Sequence, residues 1–244
     1  ILSYYIPLYR AGASGIRFAP VTFVFLINNG TGQILLMTTA LIIFCDAGTR
    51  KQGVIEVVGE LVYLLSGSLI FLLIMLTLSV FLLLPVVDWT LGWGEAWMKS
   101  IVGPRTQWNL YFSIPRLTVM HSNPFEALLQ TFLLEWGCLS FLAMAICATN
   151  FVFHCPYGVL IAMFFILWDT TIYNIMPSTF YLSSPLTLAQ TEAYKSGTLI
   201  VNETYGFMFF SVSIILMSLL CIVQGFLRAL LASKRQKRKG VAKL

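Results

Sequence analysis

From Leu61 to Val87 the chain runs for 27 residues without a formal charge. At about 1.5 Å of rise per residue, a helix of that length spans roughly 40 Å, more than the ~30 Å hydrocarbon core of a bilayer. Three further apolar runs follow, at Phe125–Thr149, Pro156–Met176 and Phe207–Ala232. A weaker one, Leu26–Cys45, precedes them, and its early turns hold the polar string NNGTGQ. That polar end is expected to dip into protein or water rather than lipid. With 58% hydrophobic residues, 10% charged residues and a mean hydropathy of +0.85, there is too little polar surface to wrap such a core in water. The expected fold is therefore all-α: a polytopic transmembrane helix bundle with five spans. Residues 1–232 would form one transmembrane domain and 233–244 a basic cytoplasmic tail.

The net charge of +5 comes from one end of the chain. Seven of the fifteen cations lie from Arg228 onward, in RALLASKRQKRKGVAKL, and the remainder holds eight cations against ten acids. A basic cluster directly after an apolar helix marks a cytoplasmic flank near anionic headgroups rather than a nucleic-acid surface. Counting back from a cytoplasmic tail puts the Pro177–Gly206 loop outside, NFVFHCP inside, Asp88–Pro124 outside and Asp46–Glu60 inside. Arg50 and Lys51 then fall inside, as the positive-inside bias prefers, while Lys99, Arg105 and Arg116 fall outside against it. Five spans with a cytoplasmic tail start outside. The opening ILSYYIPLYR reads as the exit from an earlier helix, giving six spans in the full protein; a cleaved signal peptide is the alternative.

Several motifs suggest chemistry and fail on detail. Gly12-Ala13-Ser14-Gly15 resembles the nucleophile motif of rhomboid intramembrane proteases, but Pro20 follows closely and His121 and His154 fall on opposite sides of the membrane. GEAWMKS, residues 94–100, has Met98 where a P-loop needs its second glycine to wrap a phosphate. HExxH and EF-hand patterns are absent from the sequence, and the five cysteines show neither CxxC spacing nor a metal-ligand cluster. No catalytic residue, metal or cofactor is expected in this chain. Asn29-Gly30-Thr31 and Asn202-Glu203-Thr204 match a glycosylation sequon, which matters only in a eukaryotic secretory route.

Two acids lie within apolar runs, Glu135 in LLEWGCL and Asp169 in LWDTTIY. A carboxylate facing lipid is costly, so each is expected to face protein or a wet cavity, or to be protonated. They are candidates for a polar translocation path; the alternative is a hydrogen bond to a neighbouring Ser, Thr or Tyr. Trp89, Trp93 and Trp97 recur every four residues and would share one face of an interfacial helix on the outer side, serving as an anchor or as a gate.

The polar passage Asp46–Glu60 holds adjacent cations, Arg50 and Lys51, and helix-spaced glutamates, Glu56 and Glu60. Thr49 is a candidate cap, and Val54, Val57, Val58 and Leu61 make an apolar stripe, so a helix along the membrane surface is expected. The succession of LINNGTGQILLMTTALIIFCDAGTRKQGVIE, SNPFEALLQTFLLEWGCLSFLAMAICATN and YLSSPLTLAQTEAY resembles the membrane subunit of a type-2 ABC exporter. The likeness is strongest to the small permeases of peptide and bacteriocin ABC systems in Gram-positive bacteria. In that family the second helix ends in Ser/Cys-Asp-Ala and passes into a cytoplasmic coupling helix that docks on the ATPase. Cys45-Asp46-Ala47 and the segment 48–60 match this pattern, with Gly48 standing where a Pro is common. Asn123-Pro124, Asn150 and Ser184-Pro185 match its motifs before the fourth helix, at that helix's end, and at the last external segment.

The resemblance implies a multi-pass cell-membrane subunit without its own nucleotide site. Its partners would be cytosolic ABC ATPases, which bind ATP and Mg, and a second permease, identical or homologous. Asp46, Arg50, Lys51 and Glu56 would couple it to the ATPase. Few ionisable groups line the spans, so an amphipathic peptide or lipid is the expected substrate. Two other classes stay open: a membrane scaffold that moves nothing, and a proton-coupled secondary transporter using Glu135 and Asp169.

Overall fold

The computed structural model describes residues 2–49, 53–102, 115–175 and 178–241. It is 80% helical and has no strand among the described residues, only an isolated bridge between Phe18 and Val87. The helices are α1 (Leu2–Ala13), α2 (Thr22–Ile27), α3 (Gly30–Phe44), α4 (Val54–Leu83), α5 (Glu95–Val102), α6 (Arg116–His121), α7 (Pro124–Phe153), α8 (Gly158–Ile175), α9 (Pro185–Leu188), α10 (Thr191–Lys195) and α11 (Glu203–Val241).

Three segments are long and apolar enough to cross a membrane: Val54–Val86, Pro124–Phe153 and Glu203–Leu231. Gly30–Phe44 and Gly158–Ile172 are apolar but shorter. The protein is thus a helical bundle compatible with a membrane, and its long helices coincide with the strongest apolar runs of the sequence. For description, the upper end is where α4 finishes and α7 and α11 begin. At the lower end, α3 hands over to α4 and α7 to α8.

Helix boundaries follow local chemistry. Asn123 caps α7 by accepting the Phe125 N–H, and Pro124 occupies the first helical position, where no N–H is needed. His154 ends α7 in the left-handed region at φ 57°, and its N–H returns to the Asn150 carbonyl. At the start of α4, Glu56 reaches back to accept the Gly53 N–H at 2.9 Å.

Helix α7 is the central post, packed on α3, α4, α8 and α11. Close approach to α11 depends on Gly137, where a Cβ would sit only 2.9 Å from the Phe210 ring. One apolar core surrounds α7 and a second fills the upper end, where Tyr5, Phe18, Phe25, Trp93 and Trp97 are buried. Phe25 stacks on Trp97 with centroids 4.0 Å apart and meets Trp93 edge-on at 5.9 Å. The indole N–H of Trp93 donates to Ser122 O and that of Trp97 to Ala19 O.

Two expectations need correction. Trp89 and Trp93 precede α5 and only Trp97 lies on it, so the three indoles do not share a helical face. Trp93 and Trp97 are core residues, while Trp89 is exposed. The four-residue spacing predicts a helix, but Gly92 and Gly94 interrupt it, Gly94 at φ 76°. The passage Asp46–Glu60 also holds no separate surface helix among its described residues. Thr49 hydrogen-bonds back to Asp46 O, and α4 starts at Val54 and continues without a break into the long apolar run. Val57 and Leu61 are the first buried positions of that helix. Arg50, Lys51 and Arg105 lie outside the described residues.

Candidate functional site

Polar side chains gather in two places, one in the upper half of the bundle and one at its lower end. The upper gathering is built around a hairpin. After α8 the chain makes a short 3-10 turn, Ser178–Ser183, and then α9 and α10 before entering α11. Residues 184–191 are all buried. An inserted hairpin of this kind exposes short-helix carbonyls and N–H groups to a dry interior, so neighbouring side chains must satisfy them.

Three residues from other elements do so. Gln33, fully buried three residues into α3, donates its amide hydrogens to Glu135 Oε2 and to Leu186 O, each at 3.0 Å. Its own carbonyl accepts from Gln190 Nε2 at 2.9 Å. Asn28, just before α3, donates to Thr191 Oγ1 and accepts the Glu192 backbone N–H at 3.0 Å. Asp169 on α8 accepts the hydroxyls of Ser184 and Thr187 through one oxygen, Oδ1. The Glu192 carboxylate turns away and holds α6 by the N–H groups of Leu117 and Thr118 and the Thr118 hydroxyl. Tyr194 closes the hairpin by donating to Leu188 O at 2.6 Å, and burial pushes its phenol above the ordinary range, so it stays a donor. A Lys195–Glu203 ion pair at 2.9 Å ties the exit to α11.

Asp169 thus binds the hairpin directly, whereas Glu135 reaches it only through Gln33. The alternative named for Asp169, bonds to Ser and Thr, describes its surroundings. Glu135 differs, because its partner is an amide. The string NNGTGQ had signalled a polar end to the first apolar run, and Asn28 and Gln33 carry that polarity into protein. Gln190 and Thr191 gave no such signal, since LTLAQTEAY reads as a surface loop.

The lower gathering joins the Cys45–Thr49 turn to three helices. Asn150, fully buried on α7, donates to Cys45 O at 3.1 Å and Ala47 O at 2.8 Å and accepts the Gly158 N–H at 2.6 Å. Glu60 on α4 accepts the Gly48 N–H at 2.6 Å. Gly48 sits at φ 75°, and a Cβ there would collide with the Cys147 carbonyl, so a bare backbone lets the turn touch α7. Beside this junction a cavity of ≈ 600 Å³ opens between α3 and α4, lined by Asp46, Glu56 and Glu60 among others. The structure therefore brings Asp46 and Glu56 to one cavity. Glu60 and Asn150 complete the junction and were not among the predicted coupling residues.

The lower end of α11 is fastened as well. Arg228 donates to Phe151 O at the end of α7, and its guanidinium lies 3.9 Å from the centre of the Phe151 ring. On α5, the Lys99 ammonium, 2.5 Å from Glu95, holds that exposed carboxyl below its ordinary range. Among the described residues, no group of His, Cys, Asp and Glu has the arrangement of a metal site. No family model matches the chain, and no significant match was found among curated proteins or solved structures.

Proposed function

We propose that this chain is the membrane-spanning subunit of an ATP-driven exporter of the type-2 ABC class. Its five apolar helices would all span the cell membrane, with the lower end and the basic C-terminus in the cytosol. The chain pairs with a second permease, identical or homologous, and with cytosolic ATPases that bind ATP and Mg. Asp46, Arg50, Lys51 and Glu56 contact the ATPase, and an amphipathic peptide or lipid is moved.

The supporting observation is the lower junction. The turn after α3 is bound to α7 and α8 through Asn150 and to α4 through Glu60. A push on this turn is carried at once into four helices, which is what a separate motor needs from a handle. Asp46 and Glu56 face an open cavity there and present charge to a soluble partner.

The test is affinity purification of the intact complex from native membranes, with identification of the soluble chain. The wild type is expected to bring down a P-loop ATPase, and Arg50→Glu/Lys51→Glu is expected to lose it. Normal assembly in that variant refutes the coupling assignment. Recovery of the wild type with no ATPase refutes the function itself and leaves a scaffold.

A further inference from the structure

Glu135 and Asp169 share a bundle and a hairpin, but their oxygens are treated differently. Asp169 Oδ1 accepts two hydroxyl hydrogens, from Ser184 and Thr187. Glu135 receives a single amide hydrogen on Oε2, and its Oε1 has no hydrogen bond among the described residues. The side chain is fully buried. Both amide hydrogens of Gln33 are already engaged, by Glu135 Oε2 and by Leu186 O, so none can turn toward Oε1.

Among the described residues no cation pairs with the group. The ion pairs among the described residues are Lys99–Glu95 and Lys195–Glu203. Among the described side chains of the elements packed against α7, the other charged or titratable groups are acidic, exposed or engaged elsewhere. Arg116 and His121 on α6 are exposed, and Lys195 on α10 pairs with Glu203. Asp169 is on α8, Glu192 binds α6, Glu56 and Glu60 lie at the lower end of α4, and Arg228 holds the end of α7. Cys138, one turn along, and Tyr194, bonded to Leu188 O, are the uncharged titratable neighbours. An ionised carboxylate placed there would carry a desolvation cost of about several kcal/mol, with a single Gln33 amide hydrogen bond among the described residues to offset it.

We propose that Glu135 is a proton-binding site inside the bundle. The bound proton makes Glu135 a neutral acid, which lets Gln33 bridge α3, α7 and the inserted hairpin without a buried net charge. This assignment is independent of the transport reading and holds with or without a motor.

Infrared spectroscopy of the full-length protein in lipid bilayers tests it. Subtracting Glu135→Gln from wild type is expected to reveal the carbonyl stretch of a protonated carboxylic acid, shifted in heavy water. Absence of the acid band from that difference overturns the proposal. Should Glu135→Gln fail to fold, the wild type can be treated in its native membrane with dicyclohexylcarbodiimide and mapped by mass spectrometry. That reagent takes the acid's proton on a nitrogen while the carboxyl oxygen bonds its central carbon. An adduct at Glu135 is expected; none at Glu135 overturns the assignment.

Discussion

Helices α7 and α11 are both long, apolar and uninterrupted, yet they live in different surroundings. The apolar window of α7 is 78% buried inside the protein, whereas that of α11 is 17% buried and that of α4 is 28% buried. The buried helix is the least hydropathic of the three. In water the order would be reversed, with the most apolar helix at the centre. In lipid a polar side chain is satisfied only against protein, so Thr131, Glu135, Ser140 and Asn150 draw α7 inward. The outward residues of α11, among them Leu216, Leu219 and Val223, need no protein partner.

The sharpest way to break this contrast is to remove the polar centre of α7. Asn150→Leu keeps the volume but leaves Cys45 O, Ala47 O and the Gly158 N–H without their partner. The expected loss is about 3–5 kcal/mol, since each abandoned buried group costs on the order of 1–3 kcal/mol. Denaturant unfolding in mixed micelles measures it, and a loss below about 1 kcal/mol would mean that α7 is held by apolar packing alone.

The converse change is expected on α11. Leu216→Asp puts a carboxylate at a position 61% exposed. If lipid surrounds that face, insertion is disfavoured by about 3 kcal/mol, read as the fraction of chains integrated in a membrane-insertion assay. Unchanged integration would mean that the face meets water.

How far these surroundings could be read from the sequence differs between the two helices. The apolar runs locate α4, α7 and α11, because a bilayer demands that length whatever the neighbours, although α4 begins seven residues before Leu61 and α11 continues nine beyond Ala232. Glu135 and Asp169 stood out because a carboxylate in an apolar run is rare. Gln33 lies in the polar string NNGTGQ and Ser184 in the Ser-Pro motif, but that they meet these carboxylates is not legible there. Ser184, Thr187 and Gln190 occupy a segment whose composition suits a solvated loop, and only its insertion beside α7 and α8 makes them buried. The Trp93 and Trp97 pattern misled for a related reason. Spacing alone cannot separate an indole facing headgroups from one stacked on Phe25, and Gly94 breaks the helix that the spacing implied.

A smaller effect sharpens the account of the upper half. Gln33→Leu removes the bridge to Glu135, Leu186 and Gln190 and is expected to cost about 2 kcal/mol. Combining it with Glu135→Leu should recover part of that loss, because the double variant no longer buries an unmatched carboxyl. Full additivity of the two losses would show that the residues do not act together.

The least change is expected from Leu219→Ala on α11, at a residue 52% exposed. Truncating a leucine in a packed core costs about 2–5 kcal/mol, because the removed atoms leave a cavity that the surroundings cannot refill. Lipid chains are fluid and close over the missing methyls, so on the outward face the change should stay within about 0.5 kcal/mol. The thermal midpoint in bilayer nanodiscs would therefore match that of wild type. A midpoint lowered as far as by Asn150→Leu would show that this face of α11 is packed against protein in the assembled state, and the helix would then belong to an interface rather than to the lipid boundary.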